Sequence, residues 1–391
     1  MKRLFLSVIS VTTILFSFAQ NDRLQEVSPD PTGVKAISGT DFIQGKKNST
    51  TKIKDQERTG TCWSFSTTSL VESQTIKNKL GAFDLSEMFA VRNIYVEKAK
   101  NYMLRQGHAQ FSQGGLGNDV IRSIATYGAM PETAYSGLIS GEKVFDHEIM
   151  FKELKKYLDS ALKTRGRPLS ADWIPGYNKI LDAHMGAIPE KFTYNNQRYT
   201  PETFAKTILK FNADDYINIT SFTHHPFYKP FVVEVPDNFS NGSYYNLPLN
   251  EMITLVETAI NNGYTVMWDT DVSNNGFDGK KGLALNLSST ESISSTTINA
   301  DSKEMLWDQN SRQQLYENLT TQDDHLMHIV GIEKSKQGKT FFIVKNSWGE
   351  VGPYNGYVHV SESYFAINTI SLVLPKAAVS AIVLDKLKVG K

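Results

Sequence analysis

One cysteine, Cys62, stands in a chain of 391 residues. No disulfide can close within such a chain, and neither a cysteine-rich zinc site nor an iron–sulfur cluster can form. The fold must hold by its apolar core. With 40% hydrophobic and 11% aromatic residues the chain can build one. Lys plus Arg and Asp plus Glu number 41 each, so the formal net charge is zero. No block of Lys and Arg breaks that balance, which argues against a nucleic-acid partner.

The N-terminus reads as a targeting segment. Met1-Lys2-Arg3 precede an apolar run from Leu4 to Phe18, and Ser17 and Ala19 place small residues around a cleavage site before Gln20. This layout predicts a signal peptide over residues 1–19. The run falls short of the roughly 20 residues a spanning helix needs. The mature protein is therefore expected in the periplasm or secreted, without membrane contact after cleavage.

Residues 20–50 are polar and read as a poorly structured lead-in. Residues 51–139 read as a helical lobe, with a cap at Leu85-Ser86-Glu87 and an apolar stripe of Val120, Ile121, Ile124 and Ala125 ending near Gly128. Residues 140–225 are richer in charge, with a surface helix around Phe151–Leu158, and read as an insertion. From 226 to 391 the pattern turns to strands: Phe231–Val235, Tyr264–Trp268, His328–Ile332 and Thr340–Val344. Helices first and strands later predict an α+β protein of two lobes, one helical and one antiparallel β, with a helical insertion.

A lone cysteine is by default a small buried hydrophobe. The surroundings of Cys62 say otherwise. Gly60 permits a sharp turn, and the run that follows holds no Gly or Pro until Gly81. A helix starting there sets Cys62 at its N-terminus, where the dipole and free N–H groups favour thiolate. A thiolate nucleophile also needs an oriented base. His325-Leu-Met-His328-Ile-Val and Thr340–Gly349 predict a hairpin turning near Lys336–Gly338, which brings His325 opposite Asn346 to within a residue or two. Asn346 would then fix the imidazole while Trp348 covers it from water. His325 and His328 with Asp323 and Asp324 also suggest a metal pair, but on a strand an offset of three sends the two rings to opposite faces. His224, His225 and His359 lack comparable context and read as structural or surface residues.

Gln56 six residues ahead of Cys62-Trp63, then Asp324-His325, then Asn346-Ser347-Trp348-Gly349 together resemble the papain superfamily of cysteine peptidases. The likeness is nearest to its bleomycin hydrolase and aminopeptidase C branch. Tyr127–Pro131, Asn246–Leu249 and Gly263–Val272 resemble further segments of that branch. The resemblance covers residues 51–135 and 226–375 and implies a papain-like two-lobe fold. It makes Cys62 the nucleophile, His325 the base and then acid, and Asn346 the group that orients His325. The Gln56 side-chain amide and the Cys62 N–H would form the oxyanion hole. Gly114 and Gly115 match the family's Gly-Gly strand, where substrate backbone pairs with enzyme backbone, and Asp324 and Trp348 would flank the same cleft. Peptides are the implied substrates, cleaved through a Cys62 thioester by trimming N-terminal residues. No metal or organic cofactor is implied, and the branch's usual assembly is a ring-like homo-hexamer.

Two departures qualify that reading. The branch carries a C-terminal arm whose carboxylate meets the substrate's free amino group, whereas Thr369–Lys391 is short and lacks the usual Pro- and Trp-containing approach. If this tail does not reach Cys62, the cleft is open and an endopeptidase is the alternative. The signal segment is the second departure, since the branch is otherwise cytosolic. A Cys/His acyltransferase commonly uses Asp as the third member, which Asn346 and Gln56 oppose. A binding protein on a dead scaffold would have lost one of Cys62, His325 and Asn346.

Overall fold

A computed structural model describes residues 41–163 and 173–389. The expected signal segment and most of the lead-in lie outside the described residues. Residues 42–47 correct the reading of an unstructured lead-in. They form strand β1 (Phe42–Lys47), paired antiparallel with residues 331–335. The pairing is supplied by a strand nearly 300 residues away, and no local pattern announces it.

The run between Gly60 and Gly81 folds as helix α1 (Cys62–Lys77). Its Ser- and Thr-rich sequence is a weak helix former. Thirteen of its sixteen residues are nevertheless buried, so packing rather than propensity holds it. Helices α2 (Glu87–Leu104) and α3 (Gly117–Tyr127) pack against it. Ser86 caps α2, its Oγ accepting from the Phe89 N–H at 3.0 Å. Gly128 closes α3 at φ 81°. Val120, Ile121 and Ile124 face the core as the stripe predicts, but Ala125 is exposed.

Helices α4 (Glu148–Lys163) and α5 (Trp173–Met185), the hairpin of β2 (Phe192–Tyr194) and β3 (Gln197–Tyr199), and α6 (Pro201–Thr207) follow. Leu154 and Leu158 of α4 and Tyr177 and Leu181 of α5 join the core of α1 and α2, so this segment thickens the helical lobe. Strand β4 (Tyr216–Thr220) then enters the main sheet, which moves the end of the insertion from residue 225 to before Tyr216.

The other strands of that sheet are β5 (Pro230–Val232), β6 (Ser243–Asn246), β7 (Val266–Thr270), β8 (Phe277–Asp278), β9 (Leu283–Ala284), β10 (His325–Ser335), β11 (Thr340–Lys345), β12 (Tyr357–Ser361) and β13 (Thr369–Pro375). Their order is β5-β6-β4-β13-β7-β10-β11-β12-β9-β8, with β1 also on β10. Pairing is antiparallel except between β4 and β6 and between β9 and β12, so the sheet is mixed rather than purely antiparallel. The strand expected at 231–235 ends at Val232.

Strand β10 organises the site. Strand β7 pairs with its first half and β1 with its second, while β11 runs along it with a bulge between Ile329 and Gly331. Side-chain alternation splits the sheet into two faces. Met267, Leu326 and Val373 meet α1. Trp268, Met327 and Leu372 turn the other way, onto α7 (Leu249–Asn261) and α9 (Glu362–Asn368). Helix α8 (Gln309–Glu317) leads into β10, and α10 (Ala381–Leu387) ends the described chain. Among the described residues no helix is long and apolar enough to cross a membrane.

Candidate active site

Cys62 is the first residue of α1, so its N–H is one of the four with no acceptor inside the helix. Gly60 lets the preceding turn close on a neighbour. Its N–H donates to Gln113 Oε1 at 2.8 Å, and a Cβ there would stand 3.1 Å from that of Gln113. Trp63 Nε1 donates to Gln113 O at 3.0 Å, and Gly115 lies against the Trp63 ring. The helix start and the Gly114-Gly115 segment, which is not a strand, are thus fastened together. The Leu326 N–H donates to Cys62 Sγ, which sets the thiol beside the residue next to His325.

His325 is buried at the start of β10, and its Nε2 lies 2.7 Å from Asn346 Oδ1. The same Oδ1 accepts from the Ser347 N–H at 2.8 Å. A backbone N–H can only donate, so the atom facing both groups is the oxygen and His325 carries its proton on Nε2. Nδ1 is left with its lone pair, which is what a base requires. Trp348 stacks on the ring with centroids 4.7 Å apart. Gly279 admits it, since a Cβ there would lie 2.6 Å from the indole. Gln56 is tied into the same loop, its Oε1 accepting from Ser347 Oγ at 2.6 Å and its N–H donating to Ser347 O at 2.9 Å. Gln56 Nε2 gives one hydrogen to Thr59 O at 2.7 Å, and the amide has a second to offer an oxyanion.

Electrostatics set the resting state. Burial pushes the Cys62 thiol up to about 12, with Asp323, Asp269 and Asp237 adding to the rise. Burial holds His325 down to about 4, against the opposing pull of Asn346 and Asp324. The shift at Cys62, from 9.0 to about 12, is worth about 4 kcal/mol. A helix N-terminus returns at most about 2 kcal/mol. Burial thus acts against charge on both groups.

His328 goes elsewhere. It is fully buried, its Nδ1 2.9 Å from Ser69 Oγ on α1, and Lys345 Nζ donates to the same hydroxyl at 2.8 Å. The two histidines part as strand alternation requires. Asp324 Oδ2 accepts from the Ser273 N–H at 3.0 Å and the Val272 N–H at 3.3 Å, so it braces the loop after β7. Gly114 presents no open face, because Asp237 occupies the space a side chain there would fill. Among the described residues one group gathers ligands suited to a metal, His224, His225 and Glu234. There each Glu234 oxygen already accepts from one imidazole Nε2, at 3.1 and 2.7 Å, in a surface cluster. Sequence reasoning passed over Asp237 and Asp269. An acid inside the apolar strand Val266-Met-Trp-Asp269-Thr was the available signal.

Residues through Val389 do not enter this site. After β13, Leu387 is buried and Val383, Leu384 and Val389 pack in the core on the sheet face away from α1, and Lys386 Nζ donates to Glu251 on α7 at 2.9 Å. Gly390 and Lys391 lie outside the described residues.

A helix bearing the thiol, laid across a sheet bearing the imidazole, defines the papain-like α+β fold. The chain belongs to the Peptidase C1-like family, whose model matches residues 180–390, while that of the papain family cysteine protease matches residues 38–135. It is similar to Aminopeptidase C of Streptococcus thermophilus, at 23% identity over 87% of this chain and 84% of the relative. It is likewise similar to Bleomycin hydrolase of Mus musculus, at 23% identity over 86% and 82%. Among solved structures, pepw from Lactobacillus rhamnosis superposes with a TM-score of 0.67 at 20% identity, over 88% of this chain and 84% of that one.

Proposed function

We propose that this protein is a cysteine peptidase that removes residues from the N-termini of peptides. One observation carries the chemistry: the bond between His325 Nε2 and Asn346 Oδ1 leaves Nδ1 unprotonated on a ring whose next residue, Leu326, donates its N–H to Cys62 Sγ. His325 takes the thiol proton as Cys62 Sγ attacks the peptide carbonyl carbon. The Gln56 amide and the Cys62 N–H hold the oxyanion. The amine leaves with the proton from His325, and water, deprotonated by the same ring, hydrolyses the thioester and frees Sγ. The name of the relative Aminopeptidase C supports N-terminal action.

The packing of Leu387 and Lys386 on the far face favours a second reading, an endopeptidase with an open cleft. Matched fluorogenic peptides, one with a free and one with a blocked amino terminus, separate the two, with Cys62→Ala as the blank. Cleavage confined to the free-amine peptide supports the aminopeptidase. Efficient cleavage of the blocked one supports the endopeptidase. No thiol-dependent cleavage of either returns the acyltransferase and binding readings.

Export after removal of residues 1–19, and assembly as a homo-oligomer of up to six copies, belong to the same proposal. N-terminal sequencing of the exported protein should begin at Gln20, and sedimentation should give a mass above one chain.

A further inference from the structure

The oxyanion donor Gln56 is held from the sheet side and from within its own turn. Asp55 forms an isolated antiparallel bridge with Trp348, the Gln56 N–H donates to Ser347 O at 2.9 Å, and Ser347 Oγ donates to Gln56 Oε1 at 2.6 Å. Inside the turn, Gln56 Nε2 donates to Thr59 O and Thr59 Oγ1 donates back to Gln56 O, each at 2.7 Å. The aim of the second amide hydrogen therefore depends on the shape of residues 56–59.

That shape is costly at Glu57, which stands at a φ of 53°. The left-handed region penalises a residue with a Cβ, and Asn or Asp visits it far more readily than Glu. Contacts beyond the turn hold it there. The Glu57 N–H donates to Asp55 Oδ1 at 2.8 Å, and its carboxyl Oε2 accepts from the Phe145 N–H, just ahead of α4. Arg58 forms an isolated parallel bridge with Asp146. Its N–H donates to Phe145 O at 3.1 Å, and the His147 N–H donates to Arg58 O at 3.4 Å. The Arg58–Asp146 ion pair, at 3.6 Å and largely exposed, adds little. The segment is itself anchored. Phe145 meets Phe65 of α1 edge-on with centroids 6.4 Å apart, and the buried His147 has its Nδ1 3.1 Å from Tyr95 OH on α2. Residues expected to open an insertion thus back the turn that carries Gln56.

We propose that Glu57 is a positioning residue for the oxyanion hole, its bond to Phe145 holding the left-handed turn that aims the free hydrogen of the Gln56 amide. This rests on the peptidase reading and adds to it a residue that acts only through Gln56.

Glu57→Gly, Glu57→Ala and Glu57→Gln are compared with wild type on the better cleaved of the two matched fluorogenic peptides, each also in a Gln56→Ala background. Glu57→Gly removes the acceptor yet accepts the φ, so it tests the bond to Phe145 free of strain. Glu57→Gln keeps an acceptor oxygen. An oxyanion exists only beyond the ground state, so the loss should fall on kcat and leave KM within about twofold. The expected result is a kcat lower by about tenfold to a hundredfold in Glu57→Gly and Glu57→Ala, with most of it recovered in Glu57→Gln. In Gln56→Ala the added Glu57→Gly should cost less than about twofold, since the donor it aims is gone. An equal loss in both backgrounds would place the defect outside the oxyanion hole and overturn the proposal. A kcat within about twofold of wild type in Glu57→Gly would also overturn it, and leave the peptidase standing. No Cys62-dependent cleavage by wild type would overturn the peptidase reading and this inference with it.

Discussion

At Cys62 the balance between burial and stabilising dipoles decides when the nucleophile exists. Burial acts against charge on both the thiol and the imidazole. Cys62→Ala should abolish cleavage, and His325→Ala should lower kcat by at least about 10³. His328→Ala should keep turnover within a few-fold while losing about 1–3 kcal/mol in urea unfolding, because its ring serves Ser69 rather than the thiol. Gln56→Ala, read by kcat, should cost about 10²–10³. The acids make a separate prediction. Asp269 is held up to about 7 by burial. Between the unfolded value near 4 and 7 the folded state keeps a proton that the unfolded state releases, so this group's contribution to stability is lost as pH rises. Asn cannot ionise. Asp269→Asn should therefore be more stable than wild type at pH 8, by about 2–4 kcal/mol, with the gap closing towards pH 4 in paired urea titrations.

Among the elements, α1 and β10 carry the chemistry for opposite reasons. Helix α1 is a poor helix by composition and survives because it is walled in on every side. Strand β10 is a strong strand by composition, and its register on β7 and β11 delivers His325 to Asn346. The hairpin was legible because its turn residues lie between two apolar runs. Strand β1 was not legible, since its partner is remote. Glycine contacts show where elements approach too closely for any side chain. A Cβ on Gly128 would fall 2.1 Å from the Pro201 carbonyl carbon, at a φ of 81° that disfavours other residues. Gly128→Ala should cost at least about 3 kcal/mol, measured by denaturant unfolding, as α3 is pushed from α6.

Across the whole molecule, one sheet divides the candidate site from the C-terminal helix α10. The α1 face holds Cys62, and the opposite face receives α10. Truncation before Ala381 should lower Tm by several degrees through lost burial of Leu387 and its neighbours. It should leave the ratio of free to blocked peptide cleavage unchanged. A relaxed ratio after truncation would mean that the terminal residues reach the cleft after all.

Cys62, Gln56, His325 and Asn346 were readable as candidates because the roles proposed for them depend on residue type and short spacing: a glycine before a helix start, a hairpin turn, an amide opposite an imidazole. The same local rules placed the helical and strand-rich halves. The acids beside the thiol were not readable as a group. Asp269 in β7 and Asp323 just before β10 are more than 50 residues apart in sequence and meet only because those strands pair. Periodicity assigns an element and a face, while the meeting of faces from distant segments is a property of packing. Residue type and short spacing thus pick out the candidate nucleophile and base, while packing settles what surrounds them and where the residues up to Val389 lie.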